Sequence, residues 1–209
     1  MITIHITKKL YAKLPLDEQG LLVNKTAPQH GSLCVDPNPL SGWHANLITL
    51  QRRNCVLLVH DATRFPLFIK GLLKADFANF NWHFEDAMMN TLLKLGANQQ
   101  QLDAAASLLA PCQFDTDCNR SVQGTMNQMA GDIEHMLRFD SAKLEDISAY
   151  KTAVWLADRP CSIKGRKECV WPQQAMLALL SGSSPTAQAE ETPAKQSNNI
   201  IQLSDYRRR

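Results

Sequence analysis

Ile2, Ile4 and Ile6 alternate with Thr3, His5 and Thr7 at the start of the chain. That period of two predicts a strand with one face buried and one face polar. Residues 43–50 and 55–60 carry the next two strand patterns, and the polar break at 51–54 has hairpin length. Val56, Leu57, Leu58 and Val59 are apolar on both faces, so this strand is expected to be covered on both sides. Residues 65–69 give a further strand after the turn at 61–64, with Pro66 near its start or at an edge. Residues 112–116 are a short fifth candidate.

The helical period appears elsewhere. Leu73, Phe77, Phe80, Phe84, Met88, Leu92 and Leu95 form one stripe, closed by Gly96 as a C′ residue. An aromatic stripe of this kind is core that packs on a sheet. Asn98 is placed to cap a further helix carrying Leu102, Ala105, Ala106 and Leu109, ended by Pro111. Val122, Met126, Met129, Ile133 and Leu137 recur in steps of four, three, four and four. They predict a helix over 120–138, roughly 28 Å long at 1.5 Å per residue, with Asn119 or Ser121 as N-cap. Asp140 or Ser141 is expected to open another helix through about 158, with Leu144, Ile147, the stem of Lys151, Val154 and Trp155 near one side. Residues 171–180 predict a last helix with Pro172 in its first turn. Residues 8–14 read as a helical turn stopped by Pro15, 16–42 as an irregular loop, and 160–167 as a basic loop. The class is α+β: a mainly antiparallel sheet of four to five strands, covered by amphipathic helices.

Composition sets the boundaries. The 209 residues, 44% of them hydrophobic, suffice for one domain with a real core. The expected division is an α+β domain over 1–158, a helical extension over 159–181 and a disordered tail over 182–209. From 181 to 199 the chain is rich in Ser, Pro, Ala, Thr, Gln and Glu, and Ile200, Ile201, Leu203 and Tyr206 then precede three arginines as a short docking motif. A net charge of +2 gives no strong field, so nucleic acid is not an expected partner. No apolar run reaches the roughly 18 residues of a spanning helix, so no membrane partner is expected. Six cysteines occur without a C-x-x-C pair, which fits free thiols in a reducing, cytoplasmic setting. No metal set or cofactor motif is found, and zinc could arise only by non-local assembly.

The densest polar stretch runs from Asp117 to Asn127 at the head of the 120–138 helix. Asn119, Arg120, Ser121 and Asn127, with Trp43 and Asn46 contributed from the sheet, form the expected binding notch. Arg120 offers a fixed fork of donors, and a helix N-terminus adds N–H groups suited to a carboxylate, a phosphate or a partner's acidic side chain. Gly124 and Gly131 share the face of Arg120 and Asn127, although each glycine costs a helix about 1 kcal/mol relative to Ala. Close packing or an approaching ligand would explain both. The plain alternative is a helix cap and an ion pair. No catalytic residue is assigned. Ser121 lacks a nucleophile elbow, and Cys118 lies near a helix N-terminus, where a thiol pKa can fall. His44 and His60 are placed to face each other across the hairpin. Two functional classes stay open: a non-enzymatic interaction module meeting a protein or small anionic ligand, and an enzyme acting on a small anionic or nucleotide substrate.

Three blocks carry a likeness to a known family: residues 6–10 (ITKKL), residues 42–47 (GWHANL), and Asn119-Arg120-Ser121-Val122 with Gly124, Met126 and Asn127. In order and spacing the chain resembles an uncharacterised bacterial domain-of-unknown-function family, number six-nine-three-three, over roughly residues 1–156. That family often shows Tyr in place of His44, an apolar residue in place of Gln123 and an acidic one in place of Gln128. The resemblance implies a bacterial, cytoplasmic protein and brings no activity with it.

Overall fold

A computed structural model describes residues 1–23, 38–163 and 168–182. Much of the 16–42 loop, part of the basic loop and the expected tail with its terminal motif lie outside the described residues. Five strands form one sheet: β1 (Ile2–Ile6), β2 (Trp43–Leu50), β3 (Arg53–His60), β4 (Pro66–Leu72) and β5 (Cys112–Asp115), in the order β4-β3-β2-β1-β5. β2, β3 and β4 make an antiparallel meander, as their hairpin spacing predicts. β1 runs parallel to both β2 and β5, so the sheet is mixed rather than purely antiparallel. The reason is connection length. Only long crossovers join β1 to β2 and β4 to β5, and these permit parallel pairing. The β2–β3 turn is tighter than the polar break suggests. Leu50 pairs with Arg53, and Gln51 and Arg52 both take left-handed φ of 46° and 65°, the signature of a two-residue type I′ hairpin.

The helices are α1 (Lys8–Tyr11), α2 (Phe80–Leu95), α3 (Gln99–Leu108), α4 (Arg120–Phe139), α5 (Ala149–Ala157) and α6 (Pro172–Leu180). A 3-10 turn over Asp76–Asn79 precedes α2, so the aromatic stripe begins at Phe77 and leaves Leu73 exposed. Gly96 ends α2 at φ 85°, and Asn98 with Gln101 forms a reciprocal capping box on α3. The helix expected from 140 forms only in its second half. Ser141 sits at φ 49°, and Lys70 Nζ gathers the carbonyls of Leu144, Glu145 and Ile147, which a helix would use internally. Ser148 then caps α5, whose buried side is Thr152, Ala153 and Leu156, while Trp155 points outward. α6 docks on α3, where Gln101 Nε2 donates to Leu177 O at 3.2 Å and to Ser181 Oγ at 3.0 Å.

The sheet has a core on each face. Ile2, Ile4, Ile6, Trp43, Ala45, Val56 and Leu58 pack with the α2 stripe. Leu57, Val59 and Phe68 pack with Val122, Met126, Met129, Ile133 and Leu137 of α4. β3 is thus apolar on both sides because both sides are covered. α4 lies over β2 and β3. On this face β1 and β5 present Thr3, His5, Gln113 and Asp115, which stay only half-buried. The Ile/Thr/His alternation of β1 records that difference: one side meets α2 and the other borders an open polar shelf.

Candidate functional site

Register builds the site. His5 pairs with His44 across β1–β2 and with Asp115 across β1–β5, so all three side chains emerge on the α4 side of the sheet. His5 Nδ1 lies 2.6 Å from Asp115 Oδ1, and His44 Nδ1 lies 2.5 Å from Asp61 Oδ1. The two imidazoles contact each other with centroids 4.8 Å apart. Their settings differ, however. His44 is 1% exposed, whereas the His5 and Asp115 side chains are 21% and 44% exposed.

The other nitrogen of His44 fixes the start of α4. Its Nε2 accepts the backbone N–H of Asn119 at 2.6 Å. An imidazole with an accepting Nε2 carries its proton on Nδ1 when neutral, and that N–H donates to Asp61. Asn119 is the N-cap, its Oδ1 accepting from Ser121 N at 2.8 Å. Ser121 is not the cap. Its Oγ instead accepts from Arg64 Nη2 at 3.3 Å, and Arg64 Nη1 donates to Asp61 O at 3.0 Å. Arg64 is itself buried and held at φ 59° in the β3–β4 turn. Two side chains from the sheet end, His44 and Arg64, therefore grip the first turn of α4.

Of the six expected notch residues, the structure brings Asn119 and Ser121 into this network. Arg120 and Asn127 are exposed on α4, on the same outward side as Gly124 and Gly131. A Cβ at either glycine would meet nothing within 4 Å, so no close packing among the described residues explains them. Asn46 faces the α4 side and accepts from Thr7 Oγ1 at 2.9 Å. Trp43 lies on the opposite face, buried against Phe84 and His60, with Nε1 donating to Leu40 O at 2.7 Å. It belongs to the α2 core and does not line the notch. His60 shares that face, so His44 and His60 do not meet across the hairpin; β-strand alternation puts them on opposite sides because His44 pairs with Val59.

Burial pushes the Cys118 thiol up, and Asp115, Asp117 and Asp61 add to the effect against a hydrogen bond from Gln123. The fall expected from the helix N-terminus is overridden first by this burial and then by the nearby carboxylates. Cys55, Cys112, Cys118, Cys161 and Cys169 are all free thiols. Among the described residues no group of three His, Cys, Asp or Glu side chains is placed to hold a metal ion. No helix there is long and apolar enough to cross a membrane. Sequence reading alone missed His5, Asp61, Arg64 and Asp115. His5 was signalled by its polar phase in β1, but the parallel register that sets it beside His44 has no short-range sequence mark.

Two cavities open elsewhere. One of about 230 Å³ lies between the β2–β3 turn and the end of α4, near Thr49, Glu134 and Arg138. Another of about 330 Å³ lies between β4, α2 and the start of α5, near Lys70, His83, Asp86 and Tyr150. Neither is lined by Asn119, Arg120, Ser121 or Asn127.

A family model described as "Domain of unknown function (DUF6933)" matches residues 3–175. The chain belongs to that family, and the match continues past residue 156 into α6. No curated protein and no solved structure was found to match.

Proposed function

We propose that this DUF6933 member is a non-enzymatic binding module that docks a protein partner through the start of α4, with Asn119, Arg120 and Asn127 as the polar contacts. The observation that carries this reading is the partly buried bond from Asn119 N to His44 Nε2, at 2.6 Å. It fixes from beneath the backbone of a segment whose outer side chains are exposed, and preorganisation of this kind lowers the ordering cost of association. Arg120 is exposed, and among the described residues no ion pair engages it. The neighbouring Asp115 and Asp117 add negative charge, so the complementary surface carries an acid for Arg120 and a donor beside it. The free thiols fit a reducing bacterial cytoplasm as the working compartment.

The test is site-specific photo-crosslinking in cells of the source organism. A photoreactive residue at position 120 should trap a discrete adduct that a residue at Lys94, on the exposed end of α2, does not. Equal trapping at both positions, or none at 120, rejects the module. A second reading, an enzyme acting on a small anionic or nucleotide substrate, is favoured by the half-exposed His5–Asp115 pair, an imidazole oriented by a carboxylate as in general acid–base catalysis. Under it, a nucleotide or small organic acid should raise the melting temperature of the wild type and not of His5→Gln.

A further inference from the structure

We propose that His44 is a proton-operated latch on the start of α4, releasing the Asn119 backbone when its Nε2 takes up a proton. The proposal deepens the reading above, on which its consequence for partner binding rests. It follows from hydrogen-bond geometry. With Nε2 accepting the Asn119 N–H at 2.6 Å and Nδ1–H facing Asp61 at 2.5 Å, the neutral ring is satisfied at both nitrogens. A proton added at Nε2 sets one N–H donor against another at that separation, and the Asn119 backbone must move away. The Nδ1 contact survives the change, because Asp61 accepts from the imidazolium as well as from the neutral ring. Protonation therefore breaks one side of the arrangement and strengthens the other.

The charges around the ring determine how the latch responds. Asp61, from the end of β3, favours the imidazolium by direct contact. Asp115 of β5 and Asp117 of the following connection add to this field, and Asp61, Asp115 and Asp117 all act on the intervening Cys118 thiol. His5 of β1, with its ring 4.8 Å away, opposes a second cation once it is itself charged. Arg64 opposes it too, from the β3–β4 turn, and Arg120 contributes a like charge from α4 itself. Arg64 also keeps its bond to Ser121 Oγ when Asn119 leaves. The first turn of α4 thus pivots on Ser121 and need not unravel, and Arg120, next to Asn119, changes its presentation.

The experiment is a pH titration of the full chain by amide-resolved NMR between about pH 8 and pH 5, the interval over which imidazoles change charge. The Asn119 amide should shift and lose exchange protection on the acid side, while core amides of β3 stay fixed. In Asp61→Asn the acid-side change should move to lower pH, because the opposite charge in contact with the ring is gone. In His44→Gln, whose side-chain oxygen accepts the same N–H at every pH, Asn119 should keep its exchange protection down to about pH 5. A flat Asn119 amide in the folded wild type overturns the latch, as does a midpoint unchanged in Asp61→Asn. Crosslinking at position 120 separates the two proposals. A titrating amide with no adduct at any pH retires the binding module and leaves the latch, and an adduct with a flat amide does the reverse.

Discussion

Phe114 N donates to the carbonyl of Gly20 at 2.8 Å, and a Cβ placed on Gly20 would lie 2.2 Å from the Phe114 carbonyl oxygen. The segment around Leu21 thereby closes the outer edge of β5, the strand that carries Asp115. Gly20 also sits at φ 75°, where a side chain is strained in any surroundings. Gly20→Ala should destabilise the protein by about 1–3 kcal/mol, the range for forced unfavourable backbone conformations, and more if the β5 edge opens. Urea denaturation measures the loss. A variant as stable as the wild type would mean that this edge contact does not hold in solution.

The two glycines of α4 should behave in the opposite way. Gly124 and Gly131 lie in regular helix, are exposed, and have open space where a Cβ would go. Gly124→Ala and Gly131→Ala should each stabilise the chain by about 0.5–1 kcal/mol, the helix-propensity difference. If the side bearing Arg120 and Asn127 is a docking surface, the same substitutions should weaken partner capture while raising the melting temperature. Gain of stability with undiminished capture would place the partner on another side of the helix.

Sequence pattern revealed the layers of this fold and hid its site for identifiable reasons. The stripes Phe77–Leu92 and Val122–Leu137 and the two-sided apolar run at Val56–Val59 are short-range signals, and each stops just short of the end of its helix or strand. Asn98 and Gly96 act as cap and stop because their chemistry is local. The contacts of the site span long separations: 110 residues for His5 and Asp115, 75 for His44 and Asn119, 57 for Arg64 and Ser121. They exist only because β1 inserts between β2 and β5, an order that periodicity does not encode. Trp43 shows the same limit at one residue. It adjoins His44 in sequence, yet strand alternation sends it into the other core.

His60 supplies a pH signature separate from the latch. Burial holds its imidazole down at about 4, against an ordinary value of 6.5, while Nδ1 meets Thr63 Oγ1 and Nε2 meets Ser41 O. The folded state thus keeps His60 neutral where the unfolded chain protonates it. Its contribution is complete above pH 6.5 and is lost as the pH falls toward 4, a change on the order of 3 kcal/mol at 1.36 kcal/mol per unit. Urea midpoints at pH 7.5 and pH 4.5 should show a smaller acid loss in His60→Gln than in the wild type. An equal loss in both would move the acid sensitivity to other groups.

Arg120 separates a recognition surface from a structural cap. The side chain is exposed, and none of the ion pairs among the described residues includes it. By contrast Arg159, on the segment after α5, reaches Asp132 of α4 at 2.6 Å and lies 4.2 Å over the Trp155 ring. Arg120→Ala should therefore cost less than about 1 kcal/mol, as for ordinary surface changes. Arg159→Ala should cost more, through lost stacking as well as lost charge. Chemical denaturation of the two variants under one condition gives the comparison. If Arg120→Ala instead loses about 3–5 kcal/mol, the signature of breaking a buried pair, Arg120 anchors the helix and the recognition role fails. If stability is kept and the adduct trapped by a photoreactive residue at Asn127 disappears in Arg120→Ala, the residue acts on the partner and not on the fold.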